Sequence, residues 1–293
     1  MSAFRCGTIA LLGRPNSGKS SLLNRIVGAK VAIVSPKPQT TRHAVSGILT
    51  TAQCQYVFLD APGFQTRHLD ALNRALNRRA AQAARDADVV GFVVAAPGFG
   101  APDRAALRQA PGAARVVAIV NMIDRLESAA LLPFVDRLAR ERRFEAIVPV
   151  SARTGRNLGE LLRVLGELLP EGPAGYPPGQ LTDRDERFLA AEILREKLFR
   201  LLGAELPYRC EVVLQAFRQE RRLRRVEATV WVERDGQKPI VVGADGARLK
   251  QIASDARRDM ERLFGGRVYL GVWVKVKRGW SGDAGLLQRL GYG

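Results

Sequence analysis

Gly13-Arg14-Pro15-Asn16-Ser17-Gly18-Lys19-Ser20 follows the apolar run 8–12 and leads into an amphipathic stretch. The spacing is G-x-x-x-x-G-K-S, placed where a strand would pass into a helix. In such a loop successive backbone N–H groups turn inward, and glycines let that backbone approach a phosphate closely. Lys19 then reaches the terminal phosphates, the Ser20 hydroxyl is placed to ligate Mg2+, and Ser21 continues the helix start. A Gly-rich turn holding nothing is the plain alternative. The strand–loop–helix context argues against it.

Three further elements follow in chain order. Asp60-Ala61-Pro62-Gly63 closes the apolar run 56–59, with Phe64 next. Asp60 there can hold the magnesium shell, and the Gly63 N–H can face the last phosphate. Asn121-Met122-Ile123-Asp124 ends the run 116–120. A carboxylate at Asp124 can accept hydrogen bonds from the N1–H and N2 amine of guanine, both absent from adenine, which selects GTP over ATP. Ser151-Ala152-Arg153 ends the run 146–150, placed against the base edge. Four elements at successive strand C-termini fall where open α/β sheets bind ligands.

Strand-like runs at 8–12, 44–50, 56–59, 89–94, 116–120 and 146–150 alternate with helical patterns such as 131–142 and 158–169. This predicts βαβ units and a mostly parallel sheet. Runs 44–50 and 56–59 are too close for a crossover helix, so they read as a hairpin that adds one antiparallel strand. The breaker run Pro170-Glu171-Gly172-Pro173-Ala174-Gly175-Tyr176-Pro177-Pro178-Gly179 then separates two domains. The expected division is a nucleotide-binding domain over 1–170, a linker over 171–182 and a second domain over 183–293. The second domain reads as a helix over 187–202 (Ala191, Leu194, Leu198 and Leu201 on one stripe), strands at 211–217 and 226–233, and Gly243-Ala244-Asp245-Gly246. A helix carrying Leu249, Ile252, Ala256 and Met260 and a last strand at 268–276 complete a small α+β fold. On that strand Val268, Leu270, Val272 and Val274 point inward, and Tyr269, Trp273 and Lys275 outward.

The 293 residues carry 46 Lys+Arg against 29 Asp+Glu, a net charge of +17, and 38 of the basic residues are arginine. Arginine grips phosphate bidentately, so a nucleic-acid partner fits, although the excess is spread over both halves. No apolar run is long enough to span a membrane, and the first residues lack a signal-peptide pattern. The expectation is a soluble intracellular protein. Three distant cysteines and two histidines argue against a zinc site or disulfide framework and for reduced thiols.

With Gln39-Thr40-Thr41-Arg42-His43, Thr182-Asp183-Arg184, Arg195-Glu196-Lys197, Gly203-Ala204-Glu205-Leu206-Pro207-Tyr208 and Trp273-Val274-Lys275-Val276-Lys277 added to these motifs, the chain resembles the Era family of bacterial GTPases over nearly its whole length. The resemblance implies a P-loop GTPase domain followed by a type II KH domain that binds single-stranded RNA. It implies GTP and GDP as ligands, Mg2+, and slow intrinsic hydrolysis. It further implies binding to the 3′ region of small-subunit ribosomal RNA and assistance in assembly of the small ribosomal subunit. A monomer in the cytoplasm, associating peripherally with the inner membrane, completes the implied picture.

Carried over by position, Thr41 (or Thr40) is the switch threonine that closes on Mg2+ and the γ-phosphate, and Lys19 and Gly63 act at the phosphates. Asn16 matches the asparagine that holds potassium in potassium-activated relatives. Phe64 stands where many small GTPases place a water-orienting glutamine, with Gln65 one residue late, and His43 reads as packing or solvent-facing rather than a base. Met122 departs from the family's lysine in the guanine motif. It can keep the packing along the base but not the charged tie to the P-loop, so weaker nucleotide affinity is expected.

In the KH half, Gly243, Ala244, Asp245 and Gly246, followed by Arg248 and Lys250, are the candidate RNA contacts. A KH loop lets the nucleic-acid backbone approach closely while a groove reads about four bases. Asp245 departs from the family's basic or amide residue and puts a carboxylate beside phosphates. Two readings stay open for the run 218–225, a solvated turn or a phosphate-contacting patch. Tyr269 and Trp273 either cover the sheet or stack on bases. Two other functions stay open as well, a nucleotide-gated RNA scaffold with little turnover and a membrane-surface GTPase.

Overall fold

A computed structural model of the chain describes residues 3–37, 40–64, 71–203 and 205–291. The expectations for Gln39, Gln65 and Ala204 concern positions outside the described residues. The chain divides into two compact units, Met1–Ala32 with Thr41–Asp183, and Ile33–Thr40 with Arg184–Gly293.

The first unit is built on a six-stranded sheet of order β2-β3-β1-β4-β5-β6. Its strands are β1 (Arg5–Leu12), β2 (Val45–Thr50), β3 (Cys54–Asp60), β4 (Val89–Ala95), β5 (Val116–Asn121) and β6 (Ala146–Pro149). All neighbours are parallel except β2, which pairs antiparallel with β3 in the register Val45↔Asp60 to Thr50↔Gln55. β4 and β5 are buried along their whole length, as expected of central parallel strands covered on both faces. Helices α1 (Lys19–Val27) and α5 (Leu158–Leu168) share one core with Ile9, Leu11, Phe58 and Ile119. Helices α2 (Ala71–Asp86), α3 (Ala101–Leu107) and α4 (Ser128–Ala139) share the other with Leu12, Phe92 and Ala118.

The Pro/Gly-rich run expected as a linker is tied to this unit. Glu171 bridges Arg5, Thr182 bridges Gly47, and the buried Gln55 amide holds the backbone of Gly175 and Tyr176. Gln55 Oε1 accepts from the Gly175 and Tyr176 N–H groups and its Nε2 donates to the Tyr176 carbonyl, so one buried side chain from β3 satisfies backbone groups that have no strand partner.

The second unit has the order α6 (Glu186–Leu201), β7 (Cys210–Glu220), β8 (Leu223–Val232), α7 (Gln237–Val242), α8 (Ala247–Phe264), β9 (Arg267–Val276) and α9 (Ala284–Arg289). β7 and β8 are antiparallel, and β9 joins β8 parallel from Leu223↔Arg267 to Val232↔Val276. Helix α6 departs from the expected single apolar stripe. Beside Ile193, Leu194 and Leu198 it buries Glu192, Arg195, Glu196 and Lys197, so almost every side is covered. Buried charges survive only when paired. Arg195 is held bidentately by Glu192, and Lys197 donates to Asp259 of α8. The segment Ile33–Thr40 belongs to this unit because α6 holds it. Arg200 donates twice to the Val34 carbonyl, and Arg195 donates to the Thr40 carbonyl.

Candidate nucleotide site and KH loop

The loop between β1 and α1 takes a shape that its glycines permit. Gly13 and Gly18 have φ of 155° and 92°, and Asn16, at 61°, is an exposed left-handed residue at the tip. A Cβ on Gly18 would lie 2.3 Å from Asn121 Nδ2, so close approach as well as conformation requires glycine there. Asn121 is buried and ties three motifs together. Its Nδ2 donates to the Ser17 carbonyl, and its Oδ1 accepts from the N–H groups of Met122 and Ala152.

Lys19 is buried under the loop, and its ammonium donates to the Gly13 and Arg14 carbonyls at 3.2 and 3.1 Å. Burial pushes its pKa down to about 8, against a partial offset from Asp60. Two carbonyls are weak compensation for a buried charge, so this ammonium is poised for a stronger anion. The Arg14 side chain turns aside to Asp103, with Nε 3.0 Å from Oδ1. Asp103 caps α3 from within its first turn by accepting from the Gly100 N–H, and its role in anchoring the loop was not visible in the motif.

Asp60 ends β3 with no exposed surface, and burial raises its pKa above the usual carboxylate range. Oδ2 accepts from Ser20 Oγ at 2.5 Å and from Thr41 Oγ1 at 3.4 Å, while the two hydroxyls lie 3.0 Å apart. Oδ1 is buried and accepts no hydrogen bond among the described residues. An orphaned carboxylate oxygen beside two hydroxyls is the donor set of a hard, oxygen-seeking cation, and these residues fit Mg2+. Thr40, the other candidate, is engaged elsewhere, with Oγ1 on the Lys37 carbonyl and Ser35.

Gly63 lies against the loop, where a Cβ would meet Pro15 N at 2.7 Å, and the Phe64 N–H donates to the Gly13 carbonyl. The Phe64 ring packs on the apolar cluster of Leu12 and Phe92. At the base end, Asp124 accepts from Ser151 Oγ at 2.5 Å and from Arg153 Nε at 2.8 Å. The Ser151 hydrogen bond, then Arg153, holds its carboxyl below the usual range, so it stays an acceptor. Met122 adopts left-handed backbone with φ 66°, and its methyl group lies 3.4 Å from where a Gly18 Cβ would stand. The methionine therefore packs on the P-loop where the family's lysine would make its tie.

In the second unit, Gly243 to Gly246 form a tight turn between α7 and α8. Gly243 (φ 77°) sits where a Cβ would strike Arg248 Cβ at 2.7 Å, while a Cβ on Gly246 (φ 76°) would meet open space. Asp245 is exposed at φ 49°, a region that short polar side chains tolerate. Lys250 is exposed, and Arg248 spends one nitrogen on the Ile240 carbonyl at the end of α7. Of the outward aromatics on β9, Tyr269 carries the Arg225 guanidinium over its ring at 4.7 Å, and Trp273 remains half exposed.

The comparisons follow the same two-part division. A family model described as a 50S ribosome-binding GTPase matches residues 8–123, and a KH domain model matches 205–281. GTPase Era of Nitrosomonas eutropha is 48% identical over 292 residues, covering 99% of each chain. GTPase Era of Chromobacterium violaceum is 46% identical over 289 residues, covering 98% of each. The crystal structure of a single-residue variant of Aquifex aeolicus Era bound to GDP.AlF4- superposes with a TM-score of 0.94 at 34% identity over 99% of both chains. Era in complex with MgGDPNP and nucleotides 1506–1542 of 16S ribosomal RNA matches with the same score, identity and coverage. With full-length relatives at nearly half identity and a GTPase model and a KH model matched on one chain, the chain belongs to the Era family of GTPases.

Proposed function

We propose that the first unit binds and hydrolyses GTP as a switch, and that the second binds the 3′ region of small-subunit ribosomal RNA in assembly of that subunit. The observation that supports it most is the orphaned Asp60 Oδ1 beside the Ser20 and Thr41 hydroxyls, next to a buried lysine. The relative crystallised with MgGDPNP and 16S ribosomal RNA nucleotides supports the ligand identities.

In this reading the backbone N–H groups of residues 13–18 hold the phosphates, and Lys19 releases the loop carbonyls to pair with phosphate oxygens. Ser20, Thr41 and Asp60 hold Mg2+, which neutralises charge developing on the phosphate oxygens. Asp124, oriented by Ser151 and Arg153, accepts from the guanine edge, and Asn121 keeps the phosphate loop and base motif in register. The Gly63 N–H marks the γ-phosphate, and Asn16 at the loop tip is the candidate potassium contact. Phe64 offers no group to orient water, so turnover rests on positioning and charge and is slow. The same packing favours the second reading, a nucleotide-gated RNA scaffold with little turnover.

Phosphate release at millimolar GTP, with and without small-subunit 3′ RNA, in potassium or sodium buffer, tests the reading. RNA-stimulated release supports the switch, nucleotide binding without release supports the scaffold, and equal rates in both buffers remove potassium. The proposed monomer is checked by sedimentation. No helix among the described residues is long and apolar enough to cross a membrane, and peripheral association is checked by co-sedimentation with anionic vesicles.

A further inference from the structure

Helix α8 starts at the Gly246 turn and ends at Phe264, so its 18 residues, at about 1.5 Å each, separate its ends by roughly 27 Å. At the end remote from the KH loop lies a hollow of about 660 Å³, lined by Arg221, Arg222, Arg224, Phe264, Gly266 and Arg267. Arg224 is its fixed wall. Glu186 holds its guanidinium at 2.7 and 2.8 Å, and the group lies 5.3 Å over the Phe264 ring. Gly266 makes room for it, since a Cβ there would stand 2.9 Å from Arg224 Nη1. Arg221, Arg222 and Arg267 are exposed, and none of the three makes an ion pair among the described residues.

Two ordinary explanations fall short. The C-terminus of α8 attracts cations, but it carries the equivalent of about half a charge, and Arg262 already occupies its last turn. A solvated turn accounts for exposed arginines, but not for three uncompensated ones converging on a fourth around one concavity, where they repel each other. The turn is also chemically unfavourable. Arg221 holds φ 52° at a two-residue hairpin turn, where asparagine or glycine would sit without strain.

We infer that this hollow is a second RNA site that grips backbone phosphates and reads no bases. The inference rests on the RNA-binding reading of the second unit. Guanidinium forks match phosphate oxygens. Phe264, the aromatic in the lining, has Arg224 over its ring and makes a perpendicular contact with Phe217, so the hollow presents guanidinium groups rather than an open aromatic platform for bases. For the same reason a bilayer would find charge here but no apolar anchor. The hollow thus serves RNA strand or duplex lying beyond the segment held at the KH loop.

The test uses the full chain, Arg221→Ser/Arg222→Ser and, separately, Arg267→Gln. Each is titrated with a fluorescent small-subunit 3′ RNA and with a scrambled RNA of equal length at several salt concentrations. The double variant is expected to bind both RNAs about tenfold more weakly at 0.1 M salt. Its slope of log K against log salt is expected to be shallower by about 1.4, for two lost phosphate contacts, and that of Arg267→Gln by about 0.7. Unchanged slopes overturn the inference, as does a loss confined to the native RNA. Loss of sedimentation with anionic vesicles while RNA binding holds assigns the hollow to lipid and overturns it too. Failure of the unmodified chain to bind either RNA removes the RNA-binding reading and this inference with it, an outcome distinct from the others.

Discussion

The main-chain carbonyl of Thr40 accepts a 2.5 Å hydrogen bond from Nη1 of Arg195, a side chain only 1% exposed. The other guanidinium nitrogens are taken by Glu192, at 2.8 and 2.6 Å. The next residue, Thr41, brings its hydroxyl to Ser20 and Asp60. A buried ion pair on α6 therefore holds the chain at Thr40, the residue that precedes Thr41.

Arg195→Ala should cost the second unit about 3–5 kcal/mol, because it strands the Glu192 carboxylate without a counter-charge. Arg195→Met combined with Glu192→Leu should recover most of that loss. All three tryptophans, Trp231, Trp273 and Trp280, lie in the second unit, so their fluorescence during urea unfolding reports on it alone. A loss below about 1 kcal/mol would show that the pair is dispensable.

Lys19 carries a pH signature. Its pKa, near 8 when folded against 10.5 ordinarily, means that the charged form costs the free protein about 3 kcal/mol at neutral pH. The unfolded chain binds more protons between those values, so stability should rise with pH from about 8 to 10.5. Phosphate binding needs the ammonium and therefore runs the other way. GDP affinity should be nearly constant up to about pH 7 and fall about tenfold by about pH 9. Titrations of labelled GDP at about pH 7, 8 and 9 check this, and a flat profile would contradict the assignment of Lys19.

The parts of this molecule legible in its sequence are those governed by local spacing. The P-loop, the hairpin of β2 and β3, and the inward valines of β9 depend on nearest neighbours and period. Charges buried by tertiary packing were not legible. Glu192, Arg195 and Lys197 look like an exposed polar face until Asp259 and the Thr40 carbonyl come into contact from distant parts of the chain. The same holds for Asp103, whose tie to Arg14 crosses from α3 to the loop.

Met122 offers a gain-of-function test. Its methyl group packs near Gly18, and Asn121 bridges this motif to the P-loop by hydrogen bonding. Met122→Lys should tighten GDP and GTP together by about 1 kcal/mol, the worth of one charge-assisted contact. Asp124→Asn should instead erode discrimination between GTP and ATP, measured by competition with labelled GDP. Retained discrimination would remove Asp124 from the base site.

The KH turn separates folding from binding at neighbouring glycines. Gly243→Ala forces a Cβ to within 2.7 Å of Arg248 at φ 77°, so it should destabilise the second unit by about 1–3 kcal/mol. Gly246→Asp meets nothing within 4 Å, and aspartate tolerates the left-handed region, so the unit should stay folded with normal GDP affinity. RNA binding should nevertheless fall sharply, because the new carboxylate occupies the space that the backbone phosphates need. Asp245→Lys should act in the opposite direction, removing a repulsive charge and steepening the salt slope by about 0.7 if its ammonium meets one phosphate. Melting curves and titration with small-subunit 3′ RNA measure both effects on the same samples. If Gly246→Asp and Asp245→Lys both bind as the unmodified chain does, the turn is not on the RNA, and the arginine hollow at the far end of α8 would have to carry the contact alone.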